Sequence, residues 1–388
     1  MVTVPMEYTA VVYQTTTGRV LYDVDMVNDP TWTASLNGAS EAWQLATPLE
    51  DNTDRVRVRE WAERQFSSVA VIWNGTVCQA GPITENPEFS MIDDMPVAII
   101  TGKGFWENLN GRVLHNRTWN PTTGIASSTA DLTIVDSLPN IAREIVYQAT
   151  NMTVRTGSAL PVDLPTPVAS DTNTRTYHGY ETASAGQRLQ ELTQVEYGPD
   201  IFFQPYLVTA GSTRYVRHKM LIGNPYLIQG GAPPLFDLGS SMVDLAVAGD
   251  SSPLVTTSFV KGTGNEAGQL YGYATSADLI GKGWPLLDFV DSSHTSASDT
   301  ATLNSWARAN IAQFSRKMEQ WKPRILLDSD PRFGTYIPGH FGSYVVNDHP
   351  WVPDGMYTSR ILGYSSAGVG SEGVPLIEHQ IEAIPVTN

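Results

Sequence analysis

The chain has 388 residues, of which 41% are hydrophobic and 16% are charged, and its net charge is −16. This composition excludes an intrinsically disordered chain, and the charge excludes a sequence-independent nucleic-acid binder, which needs a basic surface. No apolar run approaches the ~20 residues of a membrane span, the N-terminal residues lack the basic and apolar regions of a signal peptide, and the single cysteine, Cys78, excludes internal disulfides.

Short alternating runs separated by turn residues predict strands over the first 115 residues. One hairpin is predicted around the turn at residues 15–18, and a second around Asn-Gly at residues 37–38. A short charged helix is predicted over residues 54–61, and a strand from residue 95 runs into a turn or short helix. Several strands without a long helix predict a small barrel or sandwich.

The stretch VAVIWNGTVCQAGPI (residues 69–83) combines the only cysteine with an N-x-T sequon at Asn74. Asn-Gly between two β-rich runs predicts a two-residue type I′ turn, which explains the sequon as turn chemistry. With that turn, Val71 faces Cys78 on an apolar face of the hairpin. A catalytic cysteine needs a neighbouring histidine and a lowered pKa, and no histidine lies near Cys78 in sequence. We therefore expect a buried structural thiol.

The middle of the chain, residues 116–234, has a mixed α/β pattern. Apolar residues at helical spacing predict a helix over residues 136–151, and a second helix is predicted from Ser184, where Ser184 and Gln187 form a capping box. Two strands are predicted to follow this helix. A strand-rich pattern then returns over residues 235–388, where it is interrupted by one long helix at about residues 299–321.

Searches for catalytic motifs give negative results. GYSSAG at residues 363–368 has alanine where a nucleophile elbow needs glycine, and the chain contains no P-loop and no HExxH motif. His340 and His349 are nine residues apart without a recognisable third metal ligand, so we expect both at turns. No catalytic residue, metal site or cofactor is predicted.

Two other features keep a carbohydrate-binding or glycoside-hydrolysing β-protein open as an alternative. Tryptophans in Pro/Gly-rich loops form rigid platforms at interfaces or sugar sites, and paired carboxylates are the acids of glycosidases. These loop tryptophans, which are also the candidate interface residues, are Trp119, Trp284 and Trp351. The carboxylate pairs are Asp51/Asp54 and Asp93/Asp94. In so acidic a chain, we expect the carboxylate pairs on solvated faces.

Three stretches resemble the tail-tip (baseplate) hub proteins of long-tailed bacteriophages, including the minor tail proteins of phages that infect actinobacteria. They are VIWNGTVCQAGPI, VAIITGKGFWENLNGRVL and ASAGQRLQELTQVEYGPDIFFQPYL. The late Pro338-Gly339 turn and the single long helix between strands fit the same layout. The resemblance covers nearly the whole chain as a pattern of elements.

The resemblance implies a β-rich α+β fold in which two tail-tube-like β-barrel or sandwich domains, residues 1–115 and 235–388, flank an α/β domain at residues 116–234. It further implies a homotrimeric, ring-forming hub that joins the six-fold tail tube to a three-fold tip. The chain as given ends after PLIEHQIEAIPV, so an appended cell-wall hydrolase is not expected.

The resemblance also implies where the protein acts and what it contacts. It would be assembled in the host cytoplasm and reside in the virion, at the tail tip. Its partners would be the distal tail protein, the tape-measure protein and other tail-tip or fibre proteins. Genomic DNA would pass an acidic channel without specific binding. A distal tail protein ring is a further alternative within the same tail.

Overall fold

The computed structural model describes a β-rich protein with short helices. The described residues are 7–38, 40–167, 173–195, 197–249, 254–293, 299–315, 318–370 and 373–385. They form 23 strands and six α-helices, so the predicted β-rich α+β class is confirmed.

Most of the strands are short. The strands are β1 (Tyr8–Gln14), β2 (Val20–Val24), β3 (Thr31–Ser35), β4 (Ala42–Pro48), β5 (Ser67–Trp73), β6 (Thr76–Pro82), β7 (Glu88–Ile92), β8 (Met95–Lys103), β9 (Leu132–Asp136), β10 (Val162–Asp163), β11 (Asn173–Tyr177), β12 (Ile201–Ala210), β13 (Thr213–Ile222), β14 (Leu235–Asp237), β15 (Met242–Gly249), β16 (Thr257–Lys261), β17 (Tyr271–Thr275), β18 (Asp288–Asp291), β19 (Met318–Leu326), β20 (Phe341–Val346), β21 (Gly355–Val369), β22 (Pro375–Ile381) and β23 (Ile384–Pro385).

The helices are shorter than a membrane span. They are α1 (Asn52–Trp61), α2 (Trp106–Asn110), α3 (Leu138–Thr150), α4 (Ala185–Thr193), α5 (Ala277–Gly281) and α6 (Thr300–Phe314). Among the described helices, none is long and apolar enough to cross a membrane. The predicted helices over residues 54–61 and 136–151 correspond to α1 and α3, and the helix predicted from Ser184 is α4. Only half of the predicted capping box forms, because the Ser184 hydroxyl accepts the Gln187 N–H but the Gln187 side-chain amide donates to Glu191 at 2.9 Å.

Packing divides the chain into two compact units. Unit 1 comprises Met1–Leu245 and Pro323–Ile381, and unit 2 comprises Ala246–Lys322 and Glu382–Asn388. The three-domain division predicted from the sequence stays a prediction.

Unit 1 contains several open sheets. Its largest sheet runs in the order β22-β21-β3-β4-β8-β7, with β20 paired to β21 and β14 to β20. A second sheet has the order β2-β1-β5-β6, and a third has the order β10-β13-β12. The β1–β2 and β3–β4 hairpins are those predicted from the first 46 residues. No closed barrel forms among the residues that the structure describes.

Three helices of unit 1, α2, α3 and α4, pack around one apolar core. Buried side chains of α2, α3 and α4 contact those of β9, β12 and β13. In α3, Ile141, Ile145 and Ala149 form the predicted buried stripe, because residues three or four apart lie on the same helix face. A smaller core joins the β1–β5–β6 sheet to Val216 of β13.

Unit 2 is a three-stranded sheet with one face covered by a helix. The strand order is β17-β16-β18, and α6 packs Leu303 and Ala307 onto Val260 and Ala274. The carboxylate of Asp299 caps α6 by accepting the N–H groups of residues 301 and 302. β23 pairs with the start of β19.

The long helix predicted at about residues 299–321 is wrong at its C-terminal end. The helix α6 ends at Phe314, and Met318 and Trp321 lie in β19 instead. Their spacing continues the helical stripe, but residues 321–325 also alternate between buried and exposed, which is the period of a strand. Pro323 favours the strand because proline disrupts a helix interior.

Candidate interaction surfaces

The hairpin that carries the only cysteine is confirmed, with one change of register. Asn74 and Gly75 have positive φ angles, as a type I′ turn requires, and Trp73 pairs with Thr76. The pairing then shifts, so that Val71 faces Gln79 and not Cys78 as predicted. The Cys78 side chain is still buried, and its burial raises the pKa of the thiol. A raised pKa is the opposite of what a nucleophilic thiol needs.

The two carboxylate pairs occupy structural positions. Asp51 caps α1 by accepting the N–H groups of Asp54 (3.0 Å) and Thr53 (2.6 Å), and these hydrogen bonds lower the pKa of Asp51. A general acid of a glycosidase needs a raised pKa instead. Asp93 and Asp94 both have positive φ and form the β7–β8 turn. Their geometry is therefore explained by a helix cap and a hairpin.

The late histidine pair does not form a metal site among the described residues. His349 organises the loop before β21, because its Nδ1 accepts the N–H groups of Trp351 (3.2 Å) and Val352 (3.0 Å). Its Nε2 lies 3.1 Å from the carbonyl oxygen of Leu245. Burial lowers the pKa of His340. No group of three His, Cys, Asp or Glu side chains in the described parts could hold a metal ion.

The three candidate interface tryptophans have different environments. Trp119 is buried, and its Nε1 donates to the Gly124 carbonyl at 3.2 Å. Trp284 is half-buried, whereas Trp351 is 71% exposed. Their interface role stays a prediction, and exposure favours Trp351.

Unit 2 carries an exposed aromatic surface that the sequence reasoning missed. On the sheet face opposite α6, Tyr271 and Tyr273 of β17 and Val290 of β18 are about half exposed. Phe259 of β16 pairs with both Tyr273 and Val290 in the strand register, so all lie on one face. The sequence Tyr-Gly-Tyr could have indicated this surface. Gly272 faces α6, which leaves no room for a side chain, so the two flanking tyrosines lie on the opposite face.

Unit 1 carries a groove of about 970 Å³ between α1 and the β7–β8 hairpin. Its floor is apolar and includes Leu49, Val58 and Ala98, and its rim includes arginines of α1. The strand β7 was not predicted from the sequence, and neither was the groove. The alternation in EFSMI, with the Asp-Asp turn after it, was the available signal.

Comparisons with known proteins identify the fold. No protein-family model matches the sequence, and no curated protein matches it. The chain is similar to the 43 kDa tail protein of prophage MuSo2 from Shewanella oneidensis, with 12% identity and a TM-score of 0.55 over 97% of this chain and 98% of that chain. It is also similar to a tail protein from Neisseria meningitidis MC58, with 9% identity and a TM-score of 0.53 over 96% of both chains. At these identities the similarity is one of fold.

Proposed function

We propose that this chain is a structural virion protein, a tail-tip (baseplate) hub of a long-tailed bacteriophage related to the minor tail proteins of actinobacteriophages. One observation carries the proposal. The fold is similar to those of two tail proteins, one of them from a prophage, and each similarity covers at least 96% of both chains. The whole chain, and not an isolated module, therefore has the fold of a tail protein.

The proposed role is assembly and not catalysis. The carboxylate pairs that suggested a glycosidase have structural roles, because Asp51 caps α1 and Asp93 and Asp94 form a turn. The Cys78 thiol is buried, and its pKa is raised. The exposed groups instead suit contacts between proteins, because aromatic side chains and unpaired strand edges are common at interfaces. The aromatic sheet face of unit 2 and the exposed Trp351 are of this kind.

In this role, three copies form a ring that joins the tail tube and the distal tail protein to the tip. The tape-measure protein and other tip or fibre proteins are the remaining proposed partners. The net charge of −16 supports a channel that DNA traverses without binding, because negatively charged side chains repel the DNA phosphates.

The experiment is a reconstruction of the phage particle that locates this chain and counts its copies. Three copies at the tail tip are expected. Six copies in a ring above the tip would favour the alternative of a distal tail protein. Absence of the chain from the purified particle would contradict both assignments.

The carbohydrate-binding alternative keeps one supporting observation, the 71% exposed Trp351 on a loop held by His349. A stable monomer that binds cell-wall glycan and loses this binding in Trp351→Ala would support it. Such a monomer, found outside the particle, would replace the hub proposal.

A further inference from the structure

The groove between α1 and the β7–β8 hairpin has a slightly positive lining in an acidic chain. Residues 50–64 hold five Asp or Glu residues and four arginines. Three of them, Arg55, Arg59 and Arg64, line the groove, together with Glu63 and Glu88. None of the three arginines forms an ion pair with any residue that the structure describes. The three arginines and two glutamates of the lining give it a net charge of +1, in a chain whose net charge is −16.

The floor and one wall of the same groove are apolar. Phe89 is 71% exposed and Met91 is 53% exposed, and residues two apart in a strand lie on the same face. Phe89 faces Ala98 and Met91 faces Pro96 in the β7–β8 register. Phe89, Pro96 and Ala98 all line the groove. Apolar surface that is exposed to water costs free energy, so a partner that buries Phe89 and Met91 would bind more tightly.

The third feature is an available strand edge. β7 ends the largest sheet of unit 1, and among the described strands it pairs only with β8. Its outer edge therefore presents backbone N–H and C=O groups to an added strand. Addition of an extended peptide to such an edge supplies affinity through the main chain, and pockets for alternate side chains supply specificity.

We propose that this groove binds an extended segment of a partner protein in which every second residue is in turn acidic and apolar, so that both kinds of side chain lie on the face toward the groove. The segment adds as a strand to the outer edge of β7. Its apolar side chains contact Phe89 and Met91, and its carboxylates pair with the arginines Arg55, Arg59 and Arg64. The site is argued from the groove alone, so its test is independent of the copy number that tests the hub role.

The test measures binding of labelled synthetic peptides to the full chain by fluorescence anisotropy. One probe is a short peptide with the repeat Glu-Thr-Val-Thr, whose Glu and Val side chains lie on the same face of a strand, and the second carries Lys in place of each Glu. A third is the Glu peptide N-methylated at the residues that would face β7. The Glu peptide is expected to bind, with an affinity that falls as salt is added. Both other peptides are expected to bind on the order of tenfold more weakly.

Matched variants separate the groove from general surface charge. Arg59→Glu is expected to weaken the Glu peptide by about tenfold. Arg57→Glu is the control, because Arg57 lies on the same helix but pairs with Asp25 at 3.5 Å and does not line the groove. The control is expected to bind like the unmodified chain. The double variant Arg55→Glu/Arg59→Glu is expected to prefer the Lys peptide.

Several results would overturn the proposal. Equal binding of the Glu and Lys peptides would remove the charge argument, and equal binding of the N-methylated peptide would exclude strand addition. No binding of the Glu peptide up to about 1 mM, which corresponds to roughly −4 kcal/mol, would exclude the site. An equal loss in Arg57→Glu would place the effect outside the groove.

Discussion

Replacement of Arg360 is expected to destabilise unit 1 strongly, because it leaves a carboxylate buried without its partner. Arg360 of β21 forms an ion pair with Asp200, and both residues are 6% exposed. The Arg360 guanidinium also lies 4.7 Å from the centre of the Tyr226 ring, and its Nε donates to the Gly339 carbonyl at 3.3 Å. The pair joins two segments of unit 1 that are 160 residues apart.

The expected cost follows from these interactions. Removing one partner of a buried ion pair costs about 3–5 kcal/mol, and the cation–π interaction with Tyr226 contributes roughly 1 kcal/mol. Arg360→Met keeps an apolar stem in place and so adds no large packing loss, and we expect about 4–6 kcal/mol in total. That is a large fraction of the 5–15 kcal/mol that is typical of a folded domain.

The loss is expected to depend on pH. Burial raises the pKa of Asp200, while the N–H of Leu227 and the charge of Arg360 oppose this rise. Without Arg360 the pKa of the folded state rises further above that of the unfolded state. A group of this kind stabilises the fold below its unfolded pKa and loses that stabilisation as the pH rises through the folded pKa. The variant should therefore be less destabilised at about pH 5 than at about pH 8.

The assay is urea unfolding followed by tryptophan fluorescence, since Trp32 and Trp43 are fully buried in unit 1. Arg214→Met is the matched control. Arg214 contacts both carboxylate oxygens of Asp23 at 2.8 Å, but the two side chains are 44% and 74% exposed. Such a surface pair contributes less than about 1 kcal/mol. Equal losses in Arg360→Met and Arg214→Met, or a loss that does not change with pH, would refute the reasoning.

Three further predictions concern buried groups. Cys78→Ala is expected to preserve assembly at a cost of about 1 kcal/mol, and the thiol should resist iodoacetamide until the chain unfolds; rapid labelling of folded protein would contradict this. Burial lowers the pKa of His218 to about 4 and that of His379 to about 3, so stability is complete above the unfolded value and lost as the pH falls toward these values. For His218 the loss of unfolding free energy reaches roughly 3 kcal/mol. The urea midpoint of His218→Phe should therefore fall less between neutral and acid pH than that of the unmodified chain. An equal fall in both proteins would contradict the lowered pKa of His218. Gly102→Ala is expected to cost at least about 2 kcal/mol, because its Cβ would lie 2.1 Å from the Trp43 ring. Gly111→Ala is the control, since its Cβ would meet no atom closer than 4.0 Å. Equal thermal midpoints for the two variants would show that the Trp43 contact is not tight.

Local patterns predicted the elements that depend on near neighbours. The turn at Asn74-Gly75, the stripe of α3 and the cap at Ser184 each need only a few consecutive residues, and all are present. Pairing between distant segments was not accessible in the same way. Ala34 of β3 pairs with Tyr364 of β21, and no periodicity in either strand indicates the other. The groove was missed for this reason, because it needs α1 packed beside a strand that was not predicted.

The Cys78 prediction shows why burial can be right when register is wrong. A one-residue shift normally moves a side chain to the opposite face of its strand. All seven residues of β5 are buried, and in β6 only Thr76 is partly exposed. One face of this hairpin packs on Val11 and Val216, and on the other the Gln79 amide donates to the Thr33 carbonyl at 2.5 Å. Both faces are therefore covered, so the thiol is buried in either register. The predicted burial depended on the apolar composition of the two strands, and the shift of register between Val71 and Ile72 does not change that composition.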